Sequence, residues 1–467
     1  MIIGGGATPG GRGDLNVTAG ATASAENVSF GQNAGSSSTS VVDAATLAVA
    51  DQLVVALSGN ASLTVRNGGT MTVGGSGFSG IEPGVTAAIA VTGAGSTLTV
   101  TDQLQLGGAG PDVGGTAALT VSAGASASVG DILVLFAGGS LNIDGAAVNA
   151  GGVFDGVFGT SAGPVAIGAG STLNITGAVD SGHTGVISGA GAITKSGDML
   201  QLLGGDNTYQ GGTTVNAGTI LVSHPRALGT GPVIINGTGD VTLDPDLTQA
   251  VRFSSLVMEG GADPTGTMDV TDGKLIITNG DLGTVSNGTF TGIARLLQSG
   301  YNAGAWDGKG IMTSETEPAG RSVGVARAQD IGLAGGEFGG APVAANDVLI
   351  AFTLAGDADL DGTVDFDDLA RLAQSYNTTD KFWFQGDFTY DGDVDFDDLA
   401  LMAQNYNQSL PTAGAIAAIP GAAPSFQADL ARAFAQVPEP TALALTALPA
   451  AILLPRRRPI RQDQHPI

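Results

Sequence analysis

The chain has 467 residues and carries 17 Lys and Arg against 43 Asp and Glu, a net charge of −26. Nucleic acid and anionic membrane surfaces, which require basic patches, are thereby excluded as partners, and the lack of any cysteine rules out a disulfide frame and a thiolate metal site. With 76 Gly, 43% hydrophobic residues and 5% aromatics, the chain is too apolar for disorder and unlike an ordinary globular enzyme; the mixture suits a thin, repetitive β-structure whose rungs turn tightly.

Residues 1–250 are expected to form a β-solenoid. Short β-type triplets recur at Leu63-Thr64-Val65, Leu98-Thr99-Val100, Leu119-Thr120-Val121, Leu141-Asn142-Ile143 and Leu173-Asn174-Ile175, with offsets of 35, 21, 22 and 32. Values near 21 or 22 read as one turn of a β-helix, and the larger ones as a turn with an inserted loop. The apolar residues of each triplet are two apart, so both face inward while Thr or Asn points out. Gly-rich stretches between the triplets supply the corners. The rival reading, a low-complexity linker, is disfavoured by the regular alternation.

One stretch, residues 191–237, carries a denser pattern: Lys195-Ser196-Gly197, Leu200 to Leu203, Asn207-Thr208-Tyr209, Gly211-Gly212-Thr213-Thr214-Val215, Ala217-Gly218-Thr219-Ile220 and Leu228-Gly229. It resembles the autotransporter-associated β-strand repeat, also called the passenger-associated repeat. The resemblance implies a right-handed β-helix belonging to a surface-displayed passenger. A translocating barrel would need many alternating strands of ~10 residues; none is visible in the tail, so self-translocation is not expected.

Residues 251–350 change character. Lys274 to Thr278 reads as a strand, and Thr291 to Tyr301 has apolar residues at helical spacing. Ser299 to Ile311 is similar to a segment that precedes calcium modules in some large bacterial surface proteins. A β-rich or α+β unit capping the solenoid end is expected, because an open terminal rung presents an unpaired edge.

The strongest motif lies at residues 352–409. In a chain with few charges, 13 of the 43 acidic residues fall between Asp357 and Asp398. They form two near-copies of one loop, and residues 357–377 and 387–407 are identical at 14 of 21 positions. A calcium loop of the EF-hand type takes ligands from positions 1, 3, 5, 7, 9 and 12, with Gly at 6 to relieve the bend. The first copy offers Asp357, Asp359, Asp361, Thr363 through its carbonyl, Asp365 and Asp368, with Gly362 at the turn. The second offers Asp387, Thr389, Asp391, Asp393 through its carbonyl, Asp395 and Asp398, with Gly392. Two Ca²⁺ ions are expected, the second held more weakly because Thr389 replaces a carboxylate. Val364 and Val394 at position 8 are expected to pair the loops by a short strand contact. Phe366, Leu369, Ala370, Ala373 and Tyr376, repeated as Phe396, Leu399, Ala400, Ala403 and Tyr406, place a helix after each loop. The arrangement resembles a dockerin type I domain, which implies folding on calcium binding and, as partner, a cohesin. Phe366-Asp367 and Phe396-Asp397 stand where dockerins often present small hydroxyl residues.

Residues 410–436, rich in Ala and Pro, read as a linker. Residues 437–467 combine Pro438-Glu439-Pro440, an apolar run from Thr441 to Pro455, and Arg456-Arg457-Arg458 followed by Arg461. This resembles the PEP-CTERM sorting signal. The resemblance implies an apolar C-terminal helix that enters the inner membrane before processing, arginines held on the cytoplasmic side, and an exosortase-type enzyme as partner. It further implies export to the cell surface or extracellular matrix of a Gram-negative bacterium. Because no basic stretch followed by an apolar core opens the chain, its export signal peptide is expected upstream of Met1.

No Walker loop, G-x-S-x-G or H-E-x-x-H is present. His183, His224 and His465 form no ligand pattern. Nothing in their spacing marks Asp144 and Asp155 as a glycosidase pair, and turn positions are expected for both. No catalytic residue is assigned. The combined expectation is a mainly β, non-enzymatic, exported scaffold or adhesin-like protein, calcium-stabilised, with an extracellular polysaccharide or a cohesin as partner. The alternative is a polysaccharide lyase or glycoside hydrolase on a β-helix, docked to a cohesin. A lyase groove needs a basic residue beside calcium carboxylates, and the first 340 residues hold only ten Lys and Arg.

Overall fold

A computed structural model of the chain describes residues 2–3, 11–110, 112–156, 162–245, 247–315, 320–406, 419–423 and 425–436. The expected sorting signal at 437–467, with Pro438, Glu439, Pro440, Arg456, Arg457 and Arg458, lies outside the described residues. The chain is mainly β, a solenoid of about 11 turns with a few short helices.

The turns up to Gln201–Leu203 contribute three strand segments each, and all pairings between turns are parallel. One face is an eight-stranded sheet that includes Asn60–Arg66, Thr86–Thr92, Thr116–Ser122 and Gly139–Asp144. The other two faces share one 18-stranded sheet. They are continuous because long strands such as Thr22–Phe30 and Ser126–Leu135 cross the corner, shifting register at a bulge between Ala25 and Asn27 and between Val129 and Ile132.

Side-chain alternation explains why these segments are strands. In the first face Leu63, Ile89, Leu119 and Leu141 stack in register, and so do Val65, Val91, Val121 and Ile143. All eight are buried, while the Thr, Ala and Asn between them face outward. Each buried Leu, Ile or Val contributes about 1.5–3 kcal/mol relative to exposure, and the stacked columns form one continuous core.

The offsets between triplets need correction. Leu98 pairs with Met71 and Ala127, and Leu173 with Val148 and Ile193, in the larger sheet, whereas Leu63, Leu119 and Leu141 belong to the smaller one. Of the four offsets, only the 22 residues from Leu119 to Leu141 measure a turn. The other three run between faces, the first of them also passing the rung at Ile89. The same Leu-Thr-Val alternation serves every face, so a triplet carries no mark of the face it occupies. The corners do follow from glycine: a Cβ on Gly130 would stand 2.2 Å from the Thr101 carbonyl oxygen of the preceding turn.

The core also encloses polar groups. Asp155 is not at a turn; it occupies the inward column that holds Leu106 and Leu135. Its carboxylate lies 3.0 Å from Nδ1 of the buried His183 and accepts from the Thr184 amide and hydroxyl. These partners hold its pKa below the ordinary value against the opposing effect of burial. Lys195, also buried, donates from Nζ to the carbonyls of Ser196, Gly197 and Ala217 at 3.2, 2.7 and 3.3 Å, joining two turns. Burial lowers its pKa, opposed by Asp198 and Asp180.

Parallel pairing continues through Leu256–Met258 and Thr267–Asp269 to Gly310–Met312. Beside these strands, Val251–Phe253 begins a four-stranded sheet completed by Lys274–Ile277, Val348–Leu354 and Arg321–Arg327, the last two joining antiparallel. Helix α1 (Gly292–Tyr301) packs against Gly310–Met312, burying Ile293, Ala294, Leu296 and Leu297. The acidic loops follow Val348–Leu354 directly, with helices α2 (Phe366–Ser375) and α3 (Phe396–Asn405). Within the expected linker, Phe426–Gln436 forms a further helix, α4, in which Phe426, Leu430 and Ala433 are buried at helical spacing. Among the described residues no helix is long and apolar enough to cross a membrane.

Candidate metal centre

The two loops fold alike, position by position. In the first, the position 1 carboxylate, Asp357, accepts from the amides of Asp361 at 3.2 Å and Gly362 at 2.9 Å. In the second, Asp387 accepts from Asp391 at 3.2 Å and Gly392 at 3.1 Å. Gly362 and Gly392 have φ of 94° and 87°, a region that L side chains rarely adopt. At position 12, Asp368 accepts from Ala358, Asp359 and Asp365, and Asp398 from Phe388, Thr389 and Asp395. Each closing carboxylate therefore grips both ends of its own loop.

Asp365 and Asp395 at position 9 are the N-caps of α2 and α3. They accept from the amides of Asp367 at 2.9 Å and Asp397 at 2.8 Å, and each forms a capping box with Asp368 or Asp398. Position 5 turns on itself: Asp361 Oδ1 accepts from the amide and hydroxyl of the exposed Thr363, at 2.8 and 2.7 Å, and Asp391 Oδ1 from the amide of the exposed Asp393 at 2.8 Å.

Position 3 is where the copies part. Ligand oxygens of Asp357, Asp359 and Asp361 all lie within 4.8 Å of one another, the described group of three carboxylates that a metal ion could join. Asp359 Oδ1 is buried without a hydrogen-bond partner, and the Arg371 guanidinium approaches the other oxygen only to 4.0 Å. In the second loop the Thr389 hydroxyl sits 3.5 Å from Asp387 Oδ1 instead.

Burial opposes the charge of the inner acids. Asp357, Asp368, Asp387 and Asp398 are almost wholly enclosed. Desolvation, reinforced by neighbouring carboxylates, pushes them up to about 6, 7, 9 and 7. Asp359 is also raised, first by burial and then by Asp361. Enclosed acids in an all-oxygen set, with one buried oxygen lacking a partner, fit a hard divalent cation, which would favour their ionised forms. The residues fit Ca²⁺ in the first loop, and in the second with one carboxylate fewer.

Some features were not foreseen. The Thr353 hydroxyl donates to Asp357 Oδ2 from the strand leading into the loop, and Trp383 Nε1 donates to the Asp357 carbonyl at 2.7 Å. Leu372 and Met402 are fully buried beside the expected helix positions. Val394 pairs with Thr378, and Val364 lies in no strand, so the segment after α2 takes the pairing expected between the loops. The loops are anchored to the region that ends the solenoid: Tyr390 OH donates to the Val323 carbonyl at 2.6 Å, and Gln298 Nε2 to the Tyr390 carbonyl at 2.9 Å. Tyr301, Trp306 and Tyr390 form an aromatic cluster at that junction.

No protein-family model matches the chain, and no solved structure matches it. The chain is similar to the adhesin BmaC autotransporter of Brucella suis biovar 1 (strain 1330), with 31% identity over 137 residues. That stretch is 27% of this chain and 4% of the adhesin, so the chain spans only a small part of the relative's length.

Proposed function

We propose that this protein is an exported, non-enzymatic surface scaffold of adhesin type. Its solenoid serves as a stalk, and two Ca²⁺ ions staple the dockerin-like module at the solenoid's far end. The observation that carries this reading is the twin loop: two segments thirty residues apart reproduce the same set of amide-to-carboxylate bonds around enclosed acids. The likeness to part of an adhesin and the stacked parallel turns support the surface role. Asp357, Asp359, Asp361, Thr363, Asp365 and Asp368 would hold the first ion. Asp387, Thr389, Asp391, Asp393, Asp395 and Asp398 would hold the second, more weakly. In this reading residues 437–467 direct envelope sorting by an exosortase-type enzyme, and the outward faces of the solenoid meet extracellular polysaccharide.

The test is display on cells that make the protein. Full-length chain should be labelled by antibody on intact cells, and deletion of residues 437–467 should leave it unsorted. Unaltered localisation of the deletion would remove the sorting role. Turnover of any member of a panel of acidic and neutral polysaccharides would overturn the non-enzymatic assignment.

A further inference from the structure

Helix α4 lies across the helix pair that the duplication builds. Phe426 meets Tyr376 with ring centroids 5.1 Å apart, and Phe434 meets Tyr406 at 5.3 Å. Tyr376 and Tyr406 are equivalent residues, the C-caps of α2 and α3. The Arg432 guanidinium lies 3.8 Å from the centre of the Phe396 ring, and Asn377 Nδ2 donates to Ser425 Oγ at 3.1 Å. Phe426, Leu430 and Ala433 are at most 1% exposed, so this is a packed face.

The platform beneath α4 is set by the loops. Phe396 opens α3 directly after Asp395, which caps that helix and stands at position 9 of the second loop. Tyr376 closes α2, whose first turn is fixed by the box of Asp365 and Asp368 in the first loop. Without a cation among them the crowded loop carboxylates repel one another, and the first turns that Asp365, Asp368, Asp395 and Asp398 cap lose their anchor. The aromatic seats of α4 depend on those turns.

We propose that α4 is a calcium-gated strap: it docks when calcium orders the two loops, and calcium loss frees it. This rests on the calcium reading above. Linkage makes the coupling reciprocal, so undocking α4 must weaken calcium binding by the factor by which calcium strengthens docking, usually about 5- to 150-fold.

Limited trypsin digestion of the full chain, read by intact mass, tests it through the Arg432–Ala433 bond. Cleavage tracks the open population when opening is fast, so the rate in EDTA should exceed that in saturating calcium by about tenfold or more. Phe426→Ser, remote from that bond, should give fast cleavage in calcium too. By calorimetry this variant should still bind two ions, with the product of their two affinities lowered by about the same tenfold or more. Equal cleavage with and without calcium, in a chain shown calorimetrically to bind two ions, would overturn the strap and leave the calcium reading standing. Unchanged calcium affinity in Phe426→Ser would do the same. If no calcium binds, the calcium reading fails and the strap falls with it.

Discussion

Asp361 shapes its loop as well as offering a ligand, since Oδ1 takes both the amide and the hydroxyl of Thr363. Asp361→Ala is expected to reduce the calorimetric calcium stoichiometry from two ions to one; two retained ions would contradict its assignment. The enclosed acids set a pH dependence whose sign follows from their folded values. Asp357, Asp368, Asp398 and Asp387 stand at about 6, 7, 7 and 9 against an ordinary 3.8. The metal-free folded state therefore keeps protons that the unfolded chain has already released. Its stability from these groups is full below about pH 4 and is lost as pH rises through about 6 to 9. Melting in EDTA should occur at a lower temperature at about pH 8 than at about pH 5, and calcium should remove most of that loss at the higher pH. A melting temperature in EDTA that rises over this interval would contradict the burial of these carboxylates. The two repeated acidic loops were legible because their spacing is strict. Thr353 and Trp383 were not, because nothing local marks a strand hydroxyl or a distant indole as a partner of Asp357.

At the level of elements, the strands were legible from their alternation, and the stacking was not. Leu63 and Leu98 carry the same triplet and lie on different faces. Only pairing across turns decides between them, and that information sits in corner lengths that vary from turn to turn. Asp155 and His183 were hidden for a related reason: two residues 28 apart meet only once the rungs are stacked. Helix α4 was present as Phe426, Leu430 and Ala433 at spacings of four and three, within a stretch whose Ala and Pro content suggested a linker. The stacked columns predict that Leu119→Ala, between Ile89 and Leu141, costs about 2–5 kcal/mol in chemical denaturation. A cost below about 1 kcal/mol would mean that the column is not closely packed there. Gly130→Ala should also destabilise, because its new methyl meets a backbone carbonyl that cannot move independently of the preceding turn.

Across the whole molecule, a long apolar core of stacked turns is joined to a small module that encloses acids. The two parts are stabilised by different means. In a solenoid each turn leans mainly on its neighbours, whereas the module encloses carboxylates that repel one another. The junction at Tyr390, Val323 and Gln298 ties one to the other, so ordering the loops also fixes the closed end of the solenoid. Calcium titration of the full chain by isothermal calorimetry, paired with thermal unfolding in calcium and in EDTA, tests this most directly. Two ions should bind, one more weakly than the other, and a transition assigned to the loop module should move to higher temperature when they do. No binding heat, together with identical unfolding in EDTA, would contradict the central claim that calcium organises the module.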